Sequence, residues 1–317
     1  MNRAELLEIA RSAALTDHSK LINHLRPSAV FSISNEIQYS GAFPGTKVST
    51  WGYHARKLRD WLQGGMQGAT PFSIIAKGNS KLGILPCFST LPAVTCPGAG
   101  DCLNWCYSFK SWRAPAAYMR QVQNTILLQS KPGRDKISAE FYKLPHGIKF
   151  RLYVDGDFNS VEVLHFWMDT IKTRPDIVHV GDAAGLVPFG YSKSWLEFLE
   201  LDAAGYDWPT NYFLNISSGS LHGDDIKERM LALPIARGEF VGVKVDHKHI
   251  KSSAYRGPDN PGNKEYRHAV LIALNEKFGK SRKRFACPGN CGKCMPDGRV
   301  ACADAAMVGV MIGVAAH

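Results

Sequence analysis

Residues 148–174 read IKFRLYVDGDFNSVEVLHFWMDTIKTR. The stretch opens as an apolar, β-forming run that stops at an Asp-Gly-Asp turn. It then places Val161, Leu164, Met168 and Ile171 at helical spacing, with Asn159 and Glu162 as a capping pair. That is a strand, a turn and a helix, and the pattern recurs. Strands are predicted at 148–157, 176–182, 211–219 and 239–247, and helices at 160–174, 192–204 and 223–232. The second helix stacks Trp195, Leu196, Leu199 and Leu201. Strand starts at 148, 176, 211 and 239 are 28, 35 and 28 residues apart, the length of a βα unit. The expected fold class is α/β: a partial (β/α) barrel or a parallel-sheet core.

Each predicted strand ends in polar residues: Asp155 and Asp157, Asp182, Asn215 with Ser217, and Asp246 with His247. Ligands of parallel α/β folds bind at the carboxyl ends of the strands. Any one of these residues could be a turn or a cap. Four strands ending this way point to a polar rim. Asp155, Asp157 and Asp182 are the candidate catalytic carboxylates, and Asn215 and Ser217 candidate cofactor contacts. Asp155 and Asp157 could also be a metal-binding pair, since residues i and i+2 of a strand point the same way.

Outside the core, residues 1–70 read as an N-terminal helical region, with Leu6, Leu7, Ile9, Leu21, Ile22 and Leu25 at helical spacing within 3–25. Residues 71–285 form the α/β core, which opens with a hairpin at 71–91 around Gly78-Asn79-Ser80. A helix follows at 113–130, with Pro115 in its first turn. Residues 255–267 read as a Gly/Pro/Asn-rich connection. Residues 286–317 form a cysteine-rich C-terminal extension, and their apolar tail, 305–316, reads as a buried helix or strand.

Seven of the eight cysteines fall in two groups. Cys96, Cys102 and Cys106 lie in TCPGAGDCLNWCYSFK (95–110), with Cys87 upstream; Cys287, Cys291, Cys294 and Cys302 lie in CPGNCGKCMPDGRVAC. Thiolates ligate zinc and iron–sulfur clusters, and Gly and Pro let a short loop wrap the metal. Zinc sites usually join two distant cysteine pairs. Three cysteines crowded into one loop, twice over, favour one or two [4Fe–4S] clusters, with zinc as the alternative. Cys87 or a C-terminal thiolate could supply a fourth ligand to the first group.

The chain carries 45% hydrophobic and 21% charged residues and a net charge of +10. The charge makes nucleic acid a natural partner. The aromatic and basic residues of 105–113 could stack bases or shield a cluster, and KSRKR (280–284) could meet phosphate or be a solvated run. Asp-His-Lys-His at 246–249 reads as a loop. The start of the chain lacks signal-peptide character, and the apolar tail is too short to span a bilayer, so a cytoplasmic setting with reduced thiols is expected. Neither a Gly-rich phosphate loop nor a Gly-x-Ser-x-Gly or His-Glu-x-x-His motif is present.

KLGILPCFSTLPAVTCPGAGDCLNWCYSFK (81–110), the Gly156-Asp157-Phe158 after a strand and the cysteine-rich end together resemble the phage gene product 88 family, whose function is unassigned. The resemblance covers roughly residues 70–300 and implies a phage or plasmid setting. A three-cysteine loop ending in Cys106-Tyr107 before a βα series is also similar to radical S-adenosylmethionine enzymes. That likeness implies a partial barrel, a cluster with an open iron binding S-adenosylmethionine, Tyr107 near that cofactor, and an auxiliary C-terminal cluster. The spacing departs from theirs, with five and three intervening residues in place of three and two. Two functions are therefore expected: an iron–sulfur enzyme acting at the rim, or a nucleic-acid-binding protein with structural metal sites.

Overall fold

The structure is a computed structural model. It describes residues 48–317 apart from 79–81, 84, 103–105, 107, 109–113, 146, 175–185, 247–260, 281, 290, 292–293, 296–298 and 316–317. The helical pattern of 3–25, the strand expected at 176–182 with Asp182, and Tyr107 all lie outside the described residues, as does most of 246–249.

The first βα unit forms where its pattern predicts. β1 (Lys149–Leu152) turns Phe150 and Leu152 to the core. It is shorter than expected because Tyr153 has φ +56, which ends the extended run. The following helix, Val161–Lys172, buries Val163, Leu164, Trp167, Met168 and Ile171. Its cap is Ser160, whose hydroxyl accepts from the Val163 N–H at 3.2 Å, and not Asn159. Ser160 is the extended residue at the helix start, so Glu162 falls one position too early to close a box on it. Glu162 pairs with Arg134 instead.

Five more strands follow: β2 (Val187–Ser192), β3 (Phe213–Ser217), β4 (Ala236–Val243), β5 (Arg284–Ala286) and β6 (Met311–Ala315). All pair in parallel, in the order β1-β2-β3-β4-β6-β5, and the sheet is open. β2 lies in a segment with no predicted strand, because Pro188 and Gly190 make it look like a turn. Pro188 sits below the first β2–β3 pair, Phe189 with Phe213, where its missing N–H costs the ladder nothing. A Cβ on Gly190 would come within 2.5 Å of the Tyr212 hydroxyl and 3.0 Å of the Leu152 carbonyl. The residue from which the second helix was expected to start, Ser192, ends β2.

Among the described residues there are seven helices: α1 (Val48–Gln63), α2 (Pro115–Leu128), α3 (Lys131–Tyr142), α4 (Val161–Lys172), α5 (Trp195–Ala203), α6 (Asp224–Leu231) and α7 (Pro261–Phe278). α5 buries Trp195, Phe198, Leu199 and Leu201, while Leu196, expected in the same stripe, is exposed. The connection predicted at 255–267 becomes helix from Pro261 onward.

Helices α4, α5 and α6 pack with Phe150, Leu152, Leu214 and Ile216 on one face of the sheet; α7 packs with Val241, Val243 and Met311 on the same face. The opposite face carries Phe189, Phe213 and Ile312, and the cysteine-bearing segment 287–310 covers it. Crossover handedness explains this division. From β1 to β4 the chain moves one way across the sheet, and right-handed connections then lie on one face. From β5 to β6 it moves back, so the connection passes over the other face. The apolar tail supplies β6, an interior strand.

The hairpin expected at 71–91 is reduced to one antiparallel bridge, Ala76 with Cys87. From there residues 86–90 run beside β1, with Arg151 N to Pro86 O at 3.0 Å and Phe88 N to Arg151 O at 3.1 Å. α2 pins this segment with side chains that replace backbone partners. Gln123 bonds both the N–H and the carbonyl of Phe72 at 2.9 Å, Asn124 donates to the carbonyls of Ile74 and Ser89, and Thr125 accepts from Leu91 N. No described helix is long and apolar enough to cross a membrane.

Candidate metal centres and strand-end rim

The pinned segment delivers the first cysteine loop onto the carboxyl ends of β1, β2 and β3. Two glycines let it sit there. A Cβ on Gly98 would stand 1.6 Å from the Lys193 carbonyl oxygen, and one on Gly100 would stand 2.7 Å from Leu221 N. Neither position tolerates a side chain, so the loop lies flat on the turns after β2 and β3. Leu221 N and the Ser220 hydroxyl both donate to the Gly98 carbonyl, at 3.0 and 3.1 Å, and Gly100 N donates to Gly219 O at 3.1 Å.

Asp157 ties the turn after β1 to the end of β2. Its Oδ1 accepts from the Ser192 hydroxyl at 2.8 Å and from Phe158 N at 2.9 Å, and its Oδ2 accepts from Lys193 N at 2.7 Å. Gly156 between the two aspartates has φ +80, and a Cβ there would meet the Thr90 hydroxyl at 2.0 Å. Asp155 accepts from Gln121 Nε2 at 2.9 Å and also bonds Ser108. Burial nevertheless outweighs these bonds and pushes its pKa up to about 6. Lys193 reaches back across the rim and donates from Nζ to the Ser217 hydroxyl at 2.9 Å. Its ammonium lies within electrostatic reach of Cys96, Cys102 and Cys106. The expected rim is thus a single place holding Asp155, Asp157, Ser217 and the three thiols.

Burial raises the pKa of all three thiols, and carboxylates raise it further: Asp157 acts on Cys96 and Cys102, Asp155 on Cys106. Lys193 opposes them. Cys87 stands apart. Its thiol is buried and pushed up to about 11, and its charged neighbours are Arg151, Asp155 and Arg120. It packs in the cluster that contains Cys294 and Cys302.

The second group lies on the inner face of the sheet. Cys287 directly follows β5, its N–H donating to Gly313 O at 2.8 Å. Its sulfur accepts from Gly289 N at 3.4 Å, at a turn where Gly289 has φ +74. Cys294 Sγ accepts from Ala301 N at 3.3 Å. The four thiols feel one another: Cys287 interacts with Cys291, Cys294 and Cys302, and Cys302 with Cys291 and Cys294. Burial pushes Cys302 up to about 12, against the Tyr191 hydroxyl, which bonds its sulfur, and the Arg237 guanidinium. Tyr191 is in turn stacked by Arg151, 4.6 Å from the ring centre. All eight thiols are free. Among the described residues, no three His, Cys, Asp or Glu side chains stand at metal-ligating separation, so the thiols are gathered but not closed around a point.

Arg237, at the start of β4, is completely buried. Its guanidinium donates to Asn215 Oδ1 at 2.6 Å and to the carbonyls of Met307, Val310 and Glu239 at 3.0, 2.7 and 3.1 Å. Every acceptor is neutral. The groups that favour its charge are Cys302 first and Tyr191 second. Asn215 is also fully buried, and it spends its amide on the carbonyls of Gly190 and Cys302 at 3.1 and 3.0 Å. Asn215 thus links Arg237 to the Cys302 backbone.

The cysteines and the rim carboxylates were legible from spacing and from strand ends. Lys193, Tyr191, Arg151 and Arg237 were not. The run QVQNTILL in α2 did carry a signal, since the polar residues Gln121, Gln123, Asn124 and Thr125 fall among apolar ones.

A family model described as Gene product 88 matches residues 69–306, more than half of the chain. No curated protein and no solved structure matches the chain.

Proposed function

The chain belongs to the gene product 88 family, and from that premise we propose that it is a cysteine-ligated metal protein with two unlike centres. Cys287, Cys291, Cys294 and Cys302 hold a resident centre on the inner face of the sheet. Cys96, Cys102 and Cys106 hold a second one at the rim.

Arg237 carries this reading. A guanidinium stays charged in a protein, and burying it among neutral acceptors is costly unless an anion lies beside it. The group placed to serve is Cys302, which supplies that charge only as a thiolate. A metal ligated by four cysteines keeps its thiols deprotonated and gives the site net negative charge. The arginine, the Tyr191 hydroxyl and the N–H groups on Cys287 and Cys294 then all support an anionic centre.

Crowding of the thiols in single loops favours [4Fe–4S] over zinc. At the rim three thiols leave one ligand position for a small molecule, and S-adenosylmethionine is the first to test. When bound, such a centre supplies redox chemistry; of the chain's own rim residues, Lys193 and Ser217 position a ligand, and Asp155, pushed up to about 6, exchanges a proton.

Anaerobic purification followed by iron, acid-labile sulfide and zinc analysis tests the proposal. Iron with matching sulfide is expected, and Arg237→Met should lower the metal content. Zinc without sulfide removes the iron–sulfur assignment. Metal-free protein whose C-terminal thiols all react with a thiol reagent in the native state overturns the proposal. Addition of S-adenosylmethionine should perturb the spectrum of the rim centre alone; an unchanged spectrum removes that cofactor.

A further inference from the structure

A cavity of about 410 Å³ opens at the amino ends of β4, β5 and β6, the edge of the sheet opposite the rim. Its volume falls within the range of small-molecule sites, about 300–1,000 Å³. The walls are of two kinds. Leu231, Ala236, Val308 and Met311 supply apolar lining, and Arg282, Lys283 and Glu239 charged lining.

The charges do not balance. Glu239 is buried and pairs with Arg282 at 2.5 Å, while Lys227, 3.8 Å from it, is held at 2.5 Å by Asp224. Lys283 has no ion pair among the described residues, so one cation of the lining stands without a carboxylate. Among the apolar lining residues Val308 is open, 56% exposed. Gly309, with φ +77, has nothing within 4 Å of where a Cβ would stand, so the mouth is not closed from that side.

We propose that this cavity binds a small organic anion, a phosphate or carboxylate head on an apolar body. The head pairs with Lys283 and Arg282, where the positive charge is in excess. The body lies on Val308 and Leu231, where burial of apolar area adds affinity. Neither cysteine group takes part.

Calorimetric titration of the intact protein tests it, with phenyl phosphate, benzoate, inorganic phosphate and benzyl alcohol as probes. Phenyl phosphate or benzoate should bind at one saturable site, at least about tenfold tighter than inorganic phosphate or benzyl alcohol, a difference of about 1.4 kcal/mol. Which of the two binds more tightly identifies the head group. Lys283→Ala should weaken binding about threefold, and Arg282→Ala with Lys283→Ala about tenfold. Val308→Asp should weaken it while leaving thermal unfolding unchanged. The proposal is overturned if neither aromatic anion saturates below about 10 mM. It is equally overturned if Lys283→Ala and Val308→Asp, both folded, bind as the wild type does. A single-stranded oligonucleotide of about 20 residues that binds with steep salt dependence while the small anions do not bind would assign the basic run to nucleic acid instead.

Discussion

The two cysteine groups share one sheet and differ in the charge around them. At the rim, Asp155 and Asp157 face the thiols, and one cation, Lys193, opposes two carboxylates. On the inner face, Arg237 and the Tyr191 hydroxyl support Cys302. A thiolate at the rim is penalised until a metal brings its own positive charge. On the inner face burial still pushes Cys302 up to about 12, but the Tyr191 hydroxyl and the Arg237 guanidinium work against it. On the proposed reading, the difference would separate a resident centre from an exchangeable one, and chelators and substitutions should then act unequally on the two.

The largest effect should come from Cys302→Ala. If this group holds the proposed centre, its loss would leave Arg237 without an anion and untie the segment over the inner face. Thermal unfolding should fall by more than about 10 °C, with metal lost from this group first. Retention of both centres at the wild-type melting temperature would erase the comparison.

Arg237→Met comes next. It leaves the carbonyls of Met307 and Val310 and the Asn215 amide without their donor. Denaturant unfolding should show a loss of roughly 3–5 kcal/mol, partly recovered in Arg237→Lys, which keeps the charge. The same loss in both variants would mean that only shape matters there.

Gly98→Ala sharpens the comparison from the other side. Its Cβ would run into the Lys193 carbonyl, so the rim loop must lift. A cost of about 1–3 kcal/mol is expected, with metal lost at the rim and kept on the inner face, as element analysis of the variant would show. Equal loss at both groups would mean that they form one unit.

Asp155→Asn should have the smallest effect and a definite pH sign. Burial raises this carboxyl from the ordinary value near 4 to about 6 in the fold. The protonated form is therefore the one the fold prefers. Its contribution to stability is complete below about pH 4 and is lost as pH rises through about 6. The asparagine variant, which cannot ionise, should gain on the wild type over that interval and level off above it, by about 1 kcal/mol once lost hydrogen bonds are counted. Urea unfolding at pH 4, 6 and 8 reads the trend, and a flat difference would place the carboxyl in water.

The sheet and its helices were readable where burial imposed a period. β1, β3, β4 and α4 all show it, since each is apolar toward a neighbour and its side chains repeat at two or 3.6 residues. β2 hid because close approach to Tyr212 and Leu152 demands glycine at 190, and glycine reads as a turn. The thiols announced themselves by spacing. What distinguishes their two settings did not, because Arg237 in IARGEF looks like any surface arginine until the fold closes over it. Local sequence carries periodicity; the sign of the charge at a buried point depends on residues far apart in the chain.

β6 sets the cooperativity of the whole C-terminal half. It pairs with β4 at four register positions and with β5 at three, and β5 has no other neighbour in the sheet. Opening β6 alone would therefore detach β5 and Cys287 with it, and a six-stranded sheet would become four-stranded in one step. The bare edge of β4, with Val241 and Val243 beside it, would then be a template for a second chain. Loss of the proposed metal from the covering segment should thus register first as faster amide exchange in β5 and β6, and then as aggregation, while the helices over β1 to β3 keep their protection.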